Sequence, residues 1–176
     1  MFIRSAFRAD LRDCLSLDSS YETSHVWQLD QRDDDAGITV ALRRVRLPRP
    51  MPVRYPSQEW DLLRRWDQGG GVFVAEVGGK LQGFLDASLQ GDEKLCWIHN
   101  LVVDPPFRRR GLASALVEEA IRWGHQRSLR RVMLAVQSKN DPAIEFWQRC
   151  GFSFCGFSDR YFANRDIALF FAGRVS

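Results

Sequence analysis

The stretch from Leu95 to Gly124 constrains this chain more than any other. It opens on Leu95-Cys-Trp-Ile-His-Asn-Leu-Val-Val103, an extended apolar run. It closes on Ala113, Leu116, Val117, Ala120, Ile121 and Gly124, which fall at i, i+3, i+4, i+7, i+8 and i+11 and mark one stripe of a long helix. Between the two lies Asp104-Pro-Pro-Phe-Arg-Arg-Arg-Gly-Leu-Ala113. A helix start leaves four amide N–H groups without intrahelical partners and carries the positive end of the helix dipole. Gly111 lets the backbone approach closely and three arginines add charge, so this junction suits an anionic phosphate. On composition alone, a plain helix entry with solvated arginines stands beside that reading. Other phosphate-binding patterns are absent: there is no G-x-x-x-x-G-K-S/T, and no G-x-G-x-x-G followed by a ribose-binding acid. Nucleotide hydrolysis and dinucleotide redox chemistry are thereby set aside.

The flanking segments alternate between strand and helix signals. Phe2 to Phe7 reads as a short strand and Ala9 to Asp18 as a helix, with Leu11, Cys14 and Leu15 on one face. Tyr21 to Arg46 turns extended, with His25–Asp30 and Ile38–Arg46 flanking the loop Asp33-Asp34-Asp35-Ala36-Gly37. Prolines at 48, 50, 52 and 56 predict an extended linker across the surface. Ser57 is a candidate cap for a helix through Trp66, with Glu59 and Asp61 in its first turn and Gly69-Gly70-Gly71 ending it. Val72–Val77 and Leu81–Leu89 read as strands joined by Gly78-Gly79, and Leu95–Val103 follows Gly91-Asp92-Glu93 as a third antiparallel strand. Beyond the long helix, Val132–Val136 reads as a buried strand. Asp141-Pro142 supplies N-cap and N1 of a further helix bearing Ala143, Phe146, Trp147 and Cys150, with Gly151 at C′. Phe152–Phe157 and Asp166–Phe171 complete the strands. This order predicts an α/β (α+β) fold, a mixed and mostly antiparallel central sheet flanked by helices.

Length and charge narrow the function classes. A chain of 176 residues, 45% of them hydrophobic, supports one core and is too short for two ordinary domains. Lys plus Arg number 25 against 22 Asp plus Glu, a net +3 that argues against a protein coating a nucleic acid through bulk charge. Cys14, Cys96, Cys150 and Cys155 are scattered and form no C-x-x-C pair, so neither a metal site nor a disulfide framework is signalled. Arg4, Arg8 and Asp10 interrupt any signal-peptide apolar region, and no later stretch approaches the ~18 apolar residues of a membrane span. A soluble cytoplasmic protein with no membrane partner is the expectation; homodimer formation is left open.

Val103-Asp104-Pro105 followed by Arg108-Arg109-Arg110-Gly111-Leu112-Ala113 resembles the pyrophosphate loop of the GNAT acetyltransferase superfamily, Q/R-x-x-G-x-G/A after a strand with a V-x-P-like end. A second superfamily element, N-x-x-A-x-x-F-Y/W-x-x-x-G-F, is matched by Asn140, Ala143, Phe146, Trp147, Gly151 and Phe152. The resemblance covers roughly Gly71 to Phe157. Within the superfamily, Trp97–Val103 and Tyr161-Phe-Ala-Asn164 are similar to streptothricin acetyltransferases. What it implies is one N-acetyltransferase domain over residues 1–176, with 1–70 on the acceptor side and 71–176 as the acetyl-CoA-binding core. Acetyl-CoA would lie in a V between the strand ending at Val103 and the strand at Val132–Val136. Backbone groups of Leu101, Val102 and Val103 would pair with the pantetheine amides. Arg108 opens the loop, and the amides of Arg109, Arg110, Gly111, Leu112, Ala113 and Ser114 would take the pyrophosphate. Asn140, Ala143 and Phe146 would line the thioester side. No metal is implied.

The implied reaction is direct attack of a primary amine on the thioester, and an ammonium must lose a proton first because it has no lone pair. His99 is the candidate base, since an imidazole titrating near ~6.5 can accept that proton directly or through water; strand alternation allows it to be a structural core group instead. Glu93 is a weaker alternate. Many superfamily members carry a Tyr after the helix Phe to protonate the departing thiolate, where this chain has Trp147. Indole cannot act as that acid, which leaves water, Tyr161 or the substrate's own proton. Tyr21, Glu22 and Trp27 are candidates for an acceptor pocket suited to a cationic amine. A cationic small molecule is the first reading of the acceptor, and a protein N-terminus or lysine the second. A non-catalytic acyl-CoA-binding module stays open because of Trp147. Arginines 43, 44, 46, 49 and 54 motivate a distant nucleic-acid reading.

Overall fold

The computed structural model describes residues 1–55, 59–91 and 94–174, with the side chains of residues 59 and 60 excepted. Ser57, the expected cap, lies outside the described residues, as do Pro56, Asp92 and Glu93. In chain order the elements are β1 (Phe2–Ser5), α1 (Asp10–Ser16), β2 (Tyr21–Asp34), β3 (Gly37–Val53), α2 (Glu59–Asp67), β4 (Gly71–Val77), β5 (Lys80–Gln90), β6 (Leu95–Val103), α3 (Leu112–Gln126), β7 (Arg131–Gln137), α4 (Asp141–Arg149), β8 (Ser153–Ser158) and β9 (Ala168–Arg174). A single 3-10 turn, Pro105–Phe107, precedes α3.

One sheet of seven strands runs β1-β4-β5-β6-β7-β9-β8, and β2 with β3 forms a separate two-stranded ribbon. Among the described residues only β6 and β7 pair parallel, because α3 carries the chain back across the sheet between them. Of the helical stripe, Leu116, Val117, Ala120 and Gly124 are buried while Ala113 and Ile121 are half-buried, and Leu112 and Trp123 join the inward face. Leu112, Leu116, Val117, Ala120 and Trp123 pack in one cluster with Phe73, Leu85, Ile98, Val132, Leu134 and Phe171. Burying each such Leu or Val contributes about 1.5–3 kcal/mol, and this is what holds the start of α3 against the end of β6. A second cluster under α1 and α2 joins Leu11, Cys14 and Leu62 to Val72, Val74, Phe84 and Val102 on the other sheet face.

The proline-rich stretch differs from the expected linker. Pro48, Pro50 and Pro52 belong to β3, where Pro52 stands opposite Glu22. Pro48 and Pro50 fall in the register shift between the His25–Arg46 and Thr23–Met51 pairs, so the ladder needs no N–H from them. The start of α4 also moves by one residue: its N-cap is Asn140, whose Oδ1 accepts from the Ala143 N–H at 3.2 Å, with Asp141 first in the helix. An amide side chain at that position does what the expected Asp141 would have done. The far end of α4 is as expected. Gly151, at φ +84°, lets its own N–H reach the Gln148 carbonyl and the Phe152 N–H reach that of Trp147, while the Phe152 and Trp147 rings pack at 5.0 Å.

Candidate active site

Strand β6 contains the site's central irregularity. Asp86 pairs with Asn100 and Ala87 with Ile98, so His99 is an extra residue bulged out of the β5–β6 ladder. On its other edge β6 pairs with β7 only from Leu95–Arg131 to Ile98–Leu134. Beyond that point the two strands part, and the β6 backbone from His99 to Val103 has no partner from β7. A cleft of about 400 Å³ opens there, lined by Leu101, Val102, Val103, Gly111, Leu112, Ala113, Ser114, Asn140, Ala143 and Phe146 among others. Nearly the whole expected acetyl-CoA set therefore shares one cavity.

Its anionic end is built by backbone. Gly111 is the N-cap of α3 at φ +85°, ψ −4°, and offers no side-chain acceptor; the first intrahelical bond is Ala115 N–H to the Gly111 carbonyl. The amides of Leu112, Ala113 and Ser114 are thus left by helix geometry to point into the cleft mouth. A Cβ built on Gly111 would meet nothing within 4 Å, so the approach to these donors is open. The residues fit a phosphate-bearing ligand on that observation.

The three arginines divide their work, against the expectation that all add charge to the loop. Arg108 borders the cleft, but its guanidinium is taken up by backbone. Its guanidinium donates to the carbonyls of Val103 (2.8 Å), Ser20 (2.7 Å) and Asp18 (3.1 Å), tying the loop to the start of the ribbon. The Val103 carbonyl is therefore already engaged. Arg110 lies over the Phe107 ring at 5.3 Å and is absent from the cleft lining; Arg109, at φ +62°, lines it.

A second recess of about 260 Å³ adjoins the cleft, lined by Asp61, Arg65, Trp97, Tyr161 and Phe162 and sharing Tyr55, Ile98, His99, Asn100 and Ala135 with it. Beneath both runs a buried polar network. Asp86 is fully buried, accepting from Arg65 Nε at 2.6 Å and from Asn100 Nδ2 at 2.6 Å. Burial pushes its carboxyl above the usual carboxylate range, with Arg65 opposing. Tyr55, which sequence reasoning missed, donates its hydroxyl to the bulged His99 carbonyl at 3.0 Å. No sequence signal marks it, because the contact depends on the bulge.

His99 itself sits at the junction of cleft and recess. Its Nε2 lies 2.7 Å from Ser88 Oγ, which also accepts from Gln90 Nε2 at 3.0 Å. Burial, aided by the positive charge of Arg65, pushes the imidazole down to about 3. It is neutral at neutral pH. Tyr161 lines the recess and not the cleft. Trp147 is buried, stacked edge-on between Phe146 and Phe152, and also forms part of the cleft wall. Of the early aromatic and acidic candidates, Tyr21 lines the cleft and donates to Gln137 Oε1 at 3.1 Å. Glu22 is exposed on the ribbon, and Trp27 instead anchors it, donating Nε1–H to Asp141 at 3.0 Å. Among the described residues, no three His, Cys, Asp or Glu side chains cluster as metal ligands do, and no helix is long and apolar enough to cross a membrane.

A parallel strand pair that splays open, with a glycine-entered helix N-terminus at the mouth, defines an α/β cleft for a ligand with an extended arm and a phosphate end. Comparison with known proteins makes this specific. Residues 39–152 match the Acetyltransferase (GNAT) family. The streptothricin acetyltransferase of Streptomyces lavendulae is 32% identical over 159 residues, covering 87% of this chain and 82% of that protein. An uncharacterised N-acetyltransferase of Methanocaldococcus jannaschii is 42% identical over 109 residues, 56% of this chain, and the match spans only 47% of the relative's length. The crystal structure of nourseothricin acetyltransferase superposes with a TM-score of 0.85 at 26% identity, over 99% of this chain and 98% of its own. The chain belongs to the GNAT acetyltransferase family.

Proposed function

We propose that this protein transfers an acetyl group from acetyl-CoA to a primary amine of a cationic small molecule. The observation that carries the reading is the pair of adjoining cavities: an extended cleft ending on free helix amides, and an aromatic recess meeting it at His99. The names of the Streptomyces relative and of the superposed crystal structure support a small-molecule acceptor.

Acetyl-CoA supplies the activated acetyl thioester. The chain's own residues bind and orient. Amides of Arg109 to Ser114 hold the pyrophosphate, and the β6 edge at Leu101 and Val102 pairs with the amide-bearing arm, which ends beside Val103, whose carbonyl Arg108 occupies. Arg108 holds the loop in place, while Asn140, Ala143 and Phe146 flank the reacting end. In the recess, Tyr55, Trp97, Tyr161 and Phe162 offer ring faces to a cation and Asp61 adds a carboxylate. His99, neutral through burial, suits hydrogen bonding to the acceptor amine. An imidazolium this acidic is a poor store for an amine proton, so the acceptor ammonium first loses a proton to water in the open recess. As its free amine then forms the C–N bond the thioester C–S bond breaks, and the proton the nitrogen sheds on becoming an amide goes, through water, to the departing thiolate. Tyr161 serves the acceptor side.

The test is thiol release from acetyl-CoA across diamines, aminoglycoside-like and streptothricin-like compounds, and peptides with free N-termini or lysines, beside calorimetric titration with acetyl-CoA and with S-acetylpantetheine. Release with cationic small molecules and strong loss of affinity without the phosphates are expected. Transfer to peptides alone would make the acceptor a polypeptide, and acetyl-CoA binding without release on any amine would make the protein a non-catalytic acyl-CoA module.

A further inference from the structure

The ribbon of β2 and β3 leaves the body of the protein. At its root the Trp27 N–H donates to the Ser138 carbonyl at 2.8 Å, Arg44 grips Asp141 through two 2.8 Å bonds, and Trp27 and Leu42 pack against the main core. From Asp30 to Ala41 every residue is exposed. A two-stranded hairpin alone is marginal in water, and this one shows Ile38 at 67% and Val40 at 39% exposure. Gly37 to Leu42 carries no charge, and among the described residues β3 has only β2 beside it, so its outer edge is open along this run. An edge of that kind recruits another strand unless something covers it.

Charge along the ribbon says what the cover is. Asp33, Asp34 and Asp35 form the tip, while Arg46, Arg49 and Arg54 stand toward the root, all of them exposed; Arg43 between them is paired to Asp30 of its own ribbon. Two such ribbons laid antiparallel place acid against base twice over. Asp34 and Gly37 pair across the two-residue turn, so the even-numbered residues of β3 turn their N–H and C=O groups to the free edge. With a two-fold axis through Leu42, Ile38 of one copy is level with Arg46 of the other, and Gly37 is level with Leu47, between Arg46 and Arg49. Gly37 is the ladder partner of Asp34, so the acidic turn falls beside the arginines. Pro48 and Pro50 end the pairable edge on the root side. We propose that the protein forms a homodimer in which the β3 edges of two copies pair antiparallel over Ile38–Arg46, each aspartate tip lying against the other copy's arginine root. The contact is the same patch on both copies and closes on itself.

Sedimentation equilibrium of the full chain at about 50 µM in low salt should show a dimer that weakens in about 1 M NaCl, where screening leaves a Debye length of only about 3 Å. D33K/D34K/D35K and R46E/R49E should each weaken dimerisation at least about tenfold, and an equimolar mixture of the two variants should recover a heterodimer. Unchanged melting and acetyl-CoA binding would show that both variants fold. Independently, amide exchange at residues 38–45 should slow as wild-type concentration rises. A monomeric wild type, a dimer indifferent to both charge sets, or exchange independent of concentration would overturn the proposal.

Discussion

Ser88 Oγ lies 2.7 Å from His99 Nε2, and Gln90 donates to the same hydroxyl, so the imidazole that meets the acceptor recess is fixed from behind by a neutral partner. Among the described residues no carboxylate hydrogen-bonds to it to raise its proton affinity, and burial drives its pKa down to about 3. The rate of acetyl transfer should therefore rise with pH toward the pKa of the acceptor amine, near ~10, without an inflection near 6.5. His99→Ala should lower turnover and leave acetyl-CoA affinity unchanged in calorimetry. A limb near 6.5 in the wild-type pH–rate profile that disappears in the variant would restore His99 as a general base.

The same group ties stability to pH. His99 titrates near 6.5 when unfolded and at about 3 when folded, so between these values the unfolded chain binds a proton that the native protein refuses. Its effect is absent above 6.5 and erodes stability progressively as pH falls toward 3. His99→Gln should flatten the acid side of the melting temperature against pH over this window; parallel curves for the two proteins would contradict the burial argument.

Gly111 holds φ +85° with no protein atom near its would-be Cβ. A side chain there clashes with nothing, so the penalty comes from the left-handed backbone and from the space the ligand needs. Gly111→Val should destabilise the protein by about 1–3 kcal/mol in denaturant unfolding and weaken acetyl-CoA binding by at least about tenfold. Wild-type affinity in a folded variant would remove the backbone cradle from the binding account.

Arg65 and Asp86 form a nearly dry ion pair, with side chains 10% and 0% exposed. Arg65→Met would leave the buried carboxylate with only Asn100, at a cost of about 3–5 kcal/mol. R65M/D86L should be less unstable than R65M, since no unpaired charge remains. Urea unfolding of the three proteins decides it; a double variant worse than the single one would mean the pair stabilises in its own right.

Tyr161 faces the recess and not the acetyl-CoA cleft. Tyr161→Phe should therefore raise the KM for the acceptor and leave the KM for acetyl-CoA unchanged. Equal rises in both would place the hydroxyl at the reacting thioester.

The cradle and the fourth helix were legible because their signals are local. A stripe at helical spacing, a glycine at a cap, and the motif running from Asn140 to Phe152 all act within one or two turns of chain. The fate of the three arginines was not legible, since Arg108 turns toward carbonyls of Asp18 and Ser20, which lie far away in sequence. Tyr55 was invisible for the same reason. The proline stretch misled because its prolines sit where a register shift removes the need for their missing donors.

Short-range periodicity and capping chemistry were thus enough to specify most elements, their order and a glycine-capped helix start with open amides. Cross-strand register was not encoded in any window of residues: it set the bulge at His99, the parting of β6 from β7 and the buried Arg65–Asp86–Asn100 network. Burial then decided the charge state of His99, because the cost of desolvating a proton depends on what surrounds the ring and not on its neighbours along the chain.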